Sequence, residues 1–168
     1  MKILITGVAG FIGYSLANEL LKKKKNVVLG IDNFSKYSGR DIKKLRINIL
    51  KKSSNFRFRK ININYINKIE NLFKKNYFDI VVHLAAEVGV RYSIIRPEKY
   101  VETNIKGFFN VIECLKYNEP KKFLFASSSS VYGDCKSFPL KETQNLYPKN
   151  IYALSKKNNE EIANIYSK

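Results

Sequence analysis

The chain is short of acid. Across 168 residues, 14 Asp and Glu face 31 Lys and Arg, for a formal charge of +17 and a pI near 9.8. It has only two cysteines, one histidine, four prolines and eight glycines. Two cysteines are too few for the disulfide framework of a small secreted domain, and Cys114 and Cys135 form no close metal-ligand pair. Cys114 falls in an apolar helical pattern, which reads as a buried thiol in a reduced, cytoplasmic setting. Scarce Gly and Pro, with 45% apolar and 13% aromatic residues, exclude a low-complexity or disordered chain. No apolar run approaches the roughly 20 residues that cross a bilayer. The first residues pair a lysine with an apolar stretch, as a signal peptide does, but Asn18, Glu19 and the missing small-residue cleavage site speak against export.

A charge of +17 raises nucleic acid or an anionic membrane surface as partners. Its distribution points to neither. Lysines cluster at 22–25, 43–44, 51–52, 74–75, 121–122 and 156–157, at predicted helix ends or between elements. There they complement helix dipoles and keep the surface soluble. The length suits one domain, since a chain of about 150 residues buries roughly 68–70% of its unfolded surface.

Hydrophobic periodicity predicts strands at 2–6, 26–31, 56–60, 78–84 and 122–126, and helices at 11–24, 38–51, 66–75, 98–117 and 150–168. Such alternation implies right-handed crossovers and an α/β fold, a Rossmann-type doubly wound parallel sheet. The strands KILIT, NVVLGI and FDIVVHL are near-continuous apolar runs, as expected when helices cover both faces. In the helix predicted at 98–117, Val101, Ile105, Phe108, Val111, Ile112 and Leu115 form a core-facing stripe. Phe109 widens that stripe, either as core or against a second copy of the chain.

TGVAGFIG sets Gly7, Gly10 and Gly13 directly after the first strand and into the first helix. Glycine there allows positive φ and close backbone approach, and the helix N-terminus offers free N–H groups to a pyrophosphate. Asp32 ends the second strand, where a carboxylate accepts hydrogen bonds from ribose hydroxyls and repels a 2′-phosphate. This favours NAD over NADP, with Lys36 and Arg40 nearby as the counterweight.

TGVAGFIG, HLAA at 83–86, SSSSVYG at 127–133 and YALSK at 152–156 stand in the order found in the extended short-chain dehydrogenase/reductase family, which the whole chain resembles. GIDNFSKY, VVHLAAEVGVRYSIIRPEKYVETNIKGFFNVIE and FLFASSSSVYG look most like NAD-dependent UDP-glucuronate 4-epimerases. The resemblance implies NAD as cofactor and a UDP-sugar as substrate. Tyr152 is then the acid/base, Lys156 its partner and Ser128 the third member, with Ser129 the neighbour it is easily confused with. It further implies a cofactor cleft lined by Gly7, Gly10, Phe11, Ile12, Gly13, Asp32, Asn33, Leu84, Ala85, Ala86, Asn104, Tyr152 and Lys156. Asn62 falls where the family carries an aspartate that contacts adenine. Dehydratases of this kind carry an acidic pair before VYG, where this chain has Ser129 and Ser130. Family members are roughly twice as long, so the expectation is an incomplete NAD-binding domain over 1–168, lacking the sugar-nucleotide domain. A remnant, one part of a split enzyme, or a homodimer are the forms this admits.

The residues support this reading physically. Tyr152 and Lys156 are four apart and share a helix face, and an adjacent ammonium favours the phenolate that a base needs. His83, the lone histidine, sits at a strand end and reads as structural or cleft-lining rather than proton-transferring, and no clustered ligands suggest a metal.

Overall fold

A computed structural model describes residues 1–35 and 39–167. Five strands alternate with helices: β1 (Lys2–Thr6), α1 (Phe11–Leu21), β2 (Val27–Asp32), α2 (Arg40–Leu50), β3 (Phe56–Lys60), α3 (Ile66–Lys74), β4 (Ile80–His83), α4 (Val90–Ile95), α5 (Pro97–Tyr100), α6 (Phe108–Glu113), β5 (Lys122–Phe125) and α7 (Ile151–Tyr166). All strand pairs are parallel and the sheet order is β3-β2-β1-β4-β5, the Rossmann-type arrangement. After β3 the chain crosses back over β1, so β1 and β4 are neighbours whose outgoing segments diverge. Thr6 stands level with Ile31 on one side and His83 on the other, which brings the ends of three strands to one crevice.

The alternation of side chains along β1 splits the core in two. Ile3 and Ile5 join Val28, Ile47, Leu50 and Phe56 beneath α1 and α2. Leu4 faces the other way, onto Ile69, Leu72, Phe73, Val81, Val111 and Cys114 beneath α3 and α6. Cys114 is therefore a core thiol, pushed up to about 11 by burial.

Helix α1 stops at Leu21, short of the predicted 24, because Asn26 folds back and donates to the Leu20 carbonyl at 2.9 Å. The predicted helix starts at Ser38, which lies outside the described residues, as do Lys36 and Lys168; α2 is helical from Arg40. Strand β4 begins at Ile80 and β5 ends at Phe125, each shorter than its apolar run. Helix α4, led in by Gly89 at φ 98, has no counterpart in the sequence reading.

The predicted helix at 98–117 is one helical run in four parts: α5, a π-helical segment Val101–Gly107, α6 and a 3-10 turn Cys114–Tyr117. A π segment adds a residue to the turn, which rotates the residues before it relative to those after it. The expected apolar stripe therefore breaks. Val101 is 48% exposed, while Asn104 and Gly107 turn inward; Phe108, Val111 and Ile112 are buried as expected. Gly107 packs closely there, since a Cβ would lie 2.7 Å from Ile63 Cδ1 and would have to displace the Ile63 side chain. Phe108 is fully buried, with its ring 5.4 Å from His83 and 5.2 Å from Phe125. Phe109 is partly exposed and sets its ring edge-on to Tyr166 at 6.3 Å.

Phe108→Ala is expected to cost about 3–5 kcal/mol in urea unfolding, as for other large core truncations. Val101→Ala, on the same apparent stripe, should change stability by no more than about 0.5 kcal/mol. Equal costs for the two would contradict the register that the π segment imposes.

Candidate active site

The crevice at the ends of β1, β2 and β4 opens into a cleft of about 350 Å³. One wall is the glycine turn. Gly7 adopts φ +70, and a Cβ on it would meet Ala85 N at 2.7 Å, so the turn lies directly on the backbone after β4. A Cβ on Gly13 would approach Gly7 O to 2.4 Å. Gly10 caps α1 with no side-chain hydrogen bond, leaving the first-turn amides to face the cleft. Arg46 holds the turn from α2, donating to Ala9 O at 3.2 Å with its guanidinium 6.0 Å from the Phe11 ring.

Asp32 accepts from the Ala9 N–H at 3.2 Å and the Phe34 N–H at 2.8 Å, tying the end of β2 to the glycine turn. Lys43 lies 4.0 Å from the same carboxylate, and both side chains are about 6% exposed. The ammonium also donates to the hydroxyl and carbonyl of Ser35. Asn33 accepts from the Ser35 N–H at 2.8 Å and lines the cleft beside it.

Helix α7 forms the far wall. Asn150 caps it by accepting from the Ala153 N–H at 2.9 Å, which presents Tyr152 in the first turn. The Tyr152 ring stands edge-on to Tyr100 at 6.1 Å. One turn on, Lys156 donates to the Ala126 carbonyl at 2.9 Å. Burial brings Lys156 down from its ordinary 10.5 to about 8, so it is still mainly an ammonium at pH 7. Burial first, and the Lys156 charge second, hold His83 at about 3, so it is neutral. Glu87, half-buried in the wall, is raised by burial against the pull of Lys99 and Lys43.

Of the residues expected at the site, Gly7, Gly10, Phe11, Ile12 and Gly13 line the cleft from one side. Asp32, Asn33, Leu84, Ala85, Ala86, Tyr152 and Lys156 complete it. Three others lie elsewhere. Asn104 is buried behind the wall, where its amide accepts from the Glu87 N–H at 2.8 Å and donates to Ser155 Oγ at 3.0 Å. Asn62 lies outside the cleft lining between Ile61 and Ile63, accepting from the Asn64 N–H at 3.0 Å. Ser128 caps a 3-10 turn, Ser129–Tyr132, and accepts from the Ser130 N–H at 3.2 Å. Its neighbour Ser127 lines the cleft and hydrogen-bonds Glu160 of α7.

Sequence reasoning missed Lys43, Glu87, Thr103 and Ser127 in the lining. Only Ser127 carried a signal, its place in the serine run. Among the described residues there is no group of three or more His, Cys, Asp or Glu able to hold a metal, and no helix long and apolar enough to cross a membrane.

Residues 4–168 match the family model described as GDP-mannose 4,6 dehydratase. The chain belongs to that family. Protein CapI of Staphylococcus aureus is 41% identical over 99% of this chain and 50% of its own length. UDP-glucuronate 4-epimerase 4 of Arabidopsis thaliana is 40% identical over 99% of this chain and 38% of its own. Among solved structures, UDP-glucuronic acid 4-epimerase from Bacillus cereus, in complex with UDP-glucuronic acid and NAD, superposes with a TM-score of 0.92 at 36% identity. It covers 99% of this chain, which spans 52% of it. The UDP-Glc/GlcNAc 4-epimerase of Campylobacter jejuni gives 0.88 at 34% identity, over 99% of this chain and 49% of that one. The chain spans about half the length of the curated relatives it matches.

Burying Lys156 has a stability cost with a definite pH signature. The unfolded chain holds this proton up to about pH 10.5 and the folded chain releases it near 8, so stability rises with pH through that window. Lys156→Met is therefore expected to stabilise the chain at pH 7 by about 1–3 kcal/mol, less the lost bond to Ala126. The gain should fade as the pH approaches 10.5, which thermal melts at pH 7, 8.5 and 10 would read. A destabilised Lys156→Met protein at pH 7 would contradict the burial cost.

Proposed function

We propose that the chain binds NAD in this cleft and serves the C4 epimerisation of a UDP-sugar, with UDP-glucuronate the substrate and UDP-galacturonate the product. One observation carries the reading: a single cleft gathers the glycine turn, Asp32, Tyr152 and Lys156. The residues fit the cofactor. The turn has no space for a Cβ at Gly7 or Gly13, and the bare first turn of α1 faces the cleft as a pyrophosphate requires. Relatives from Arabidopsis thaliana and Thermodesulfobacterium geofontis, each 40% identical, are named UDP-glucuronate 4-epimerases.

In this reading the amides after Gly10 hold the pyrophosphate and Asp32 takes the adenosine ribose hydroxyls. When bound, NAD would supply the hydride acceptor and donor for C4 of the sugar. Tyr152 takes the C4 hydroxyl proton and gives it back, with no net redox change. Lys156, buried one turn beyond Tyr152, supplies positive charge in a site screened from water. Ser127, which lines the cleft just beyond β5, is the serine placed to hydrogen-bond the reacting oxygen, and Ser128 caps the turn beside it. The family model is named for a dehydratase, but Ser129 and Ser130 offer no acid for removing water. Because the chain spans about half of its relatives, cofactor binding without turnover is the second reading. A second copy or a separately supplied C-terminal half are the partners it admits.

Calorimetric titration with NAD+ should show saturable one-site binding, weakened at least about tenfold by Asp32→Ala, the loss of a charge-assisted ribose contact. UDP-glucuronate turnover is then assayed with and without the C-terminal half of a relative. A folded chain that does not bind NAD+ overturns the proposal. Binding without turnover in either assay leaves the second reading in place of the first.

A further inference from the structure

The glycine turn and the Leu84–Ala86 backbone pack with no spare space between them, so whatever fixes their separation fixes the width of the cleft there. Thr6 and His83 are cross-strand partners on β1 and β4, at the last paired position before both segments. Thr6 is fully buried and His83 is 4% exposed. The Thr6 hydroxyl oxygen accepts from the Leu84 N–H and the Ala85 N–H, each at 3.1 Å. It also lies 3.0 Å from His83 Nδ1.

A hydroxyl has two lone pairs and one proton. Amides of the cleft wall approach both lone pairs, the Leu84 N–H being shared with the Thr6 carbonyl at 3.2 Å, so the hydroxyl proton is best placed on His83 Nδ1 as a bare acceptor. A neutral imidazole provides that acceptor only if its proton sits on Nε2. Nothing else in the arrangement satisfies all three contacts. An imidazolium, or the Nδ1–H tautomer, competes with the two amides for the hydroxyl oxygen and takes away the acceptor of the hydroxyl proton, leaving the Leu84 N–H to the Thr6 carbonyl alone. Burial and the Lys156 charge both favour the neutral ring. The ring itself is wedged edge-on against Phe108 at 5.4 Å, which fixes the direction of Nδ1.

We propose that His83, as its neutral Nε2–H tautomer and acting through the Thr6 hydroxyl, is a positioning residue for the Leu84–Ala86 wall of the cofactor cleft. It touches neither cofactor nor substrate. Its effect passes through one proton, and it rests on the NAD-binding reading only for its consequence on affinity.

The test has two arms. In the first, 15N NMR of the imidazole, run on the chain without cofactor, should show Nδ1 unprotonated and Nε2 protonated from pH 5 to pH 8. In the second, NAD+ is titrated into variants. Thr6→Val and His83→Leu should each weaken binding about tenfold, the effect of one unsatisfied buried amide or misdirected hydroxyl. The double variant should be no weaker than Thr6→Val alone, because without the hydroxyl His83 has nothing to act through. Thr6→Ser, and His83→Asn with its amide oxygen toward Thr6, should bind within about threefold of the parent chain. An Nδ1–H tautomer, or independent losses that multiply in the double variant, overturns the proposal. Should His83→Leu fail to fold, the tautomer and the Thr6→Ser and Thr6→Val pair decide it. If the parent chain does not bind NAD+, the functional reading fails and the tautomer alone judges the Thr6–His83 link.

Discussion

Everything at the site depends on one close approach, that of Gly7 to the backbone of Ala85. The sheet order puts β1 beside β4, and the two chains leaving those strands must part around whatever occupies the crevice. At Gly7 they are separated by less than the width of a methyl group. The glycine turn therefore cannot shift without moving the wall opposite. From this contact α1 is aimed, its uncapped first turn is directed into the cleft, and Asp32 is placed where it can brace the turn through Ala9. Helix α7 is the wall built from distant sequence, and it too is hung from the sheet, by Lys156 on the carbonyl just beyond β5.

The electrostatics of the cleft derive from that geometry. Three titratable groups at the site are buried, and each is handled differently. Asp32 has two backbone amides and Lys43 nearby, so its charge is compensated. His83 is buried among aromatic rings with the Lys156 charge nearby, so it gives up its charge. Lys156 donates to a carbonyl, and it keeps a proton that burial has made easy to lose. A buried ammonium with no carboxylate partner among the described residues is poor for stability, and strain of that kind concentrates at functional sites. Had an acid been placed beside Lys156, the charge would be secure and neutralised.

The strands and the glycine turn were legible because their signals are local. Apolar runs mark β1 and β2, and Gly7, Gly10 and Gly13 are spaced by the turn itself. Lys43 was not legible, since nothing in RDIKK separates a lysine that folds under a loop from one in water. Asn104 shows the harder limit. Its sequence sits in a plausible 3.6-residue stripe, and a straight helix would have kept Val101 in the core. The π segment overrides that pattern because it lets Asn104 satisfy both main-chain groups of Glu87 and reach Ser155 at once. Tertiary hydrogen bonds of this kind leave no trace in hydrophobic periodicity.

The two edges of the sheet are unlike each other. On β3, Arg57, Arg59 and Lys60 are interleaved with Phe56 and Phe58, and charged side chains along an edge discourage another strand from pairing there. On β5 the only charge is Lys122 at its start, and Leu124 stands 51% exposed midway along. Beside it Phe123 and Phe125 are only half-buried, and with Ile112, Leu115 and the last turn of α7 they line a second groove. Removing apolar surface of this kind from water is favourable, whereas the charged edge at β3 resists being covered. The asymmetry bears on the active site as well, because β5 carries Ala126 and Ser127 at its end. The Ala126 carbonyl that holds Lys156 and the Ser127 hydroxyl that bonds Glu160 both follow directly from this edge strand, so the edge and α7 are joined through them.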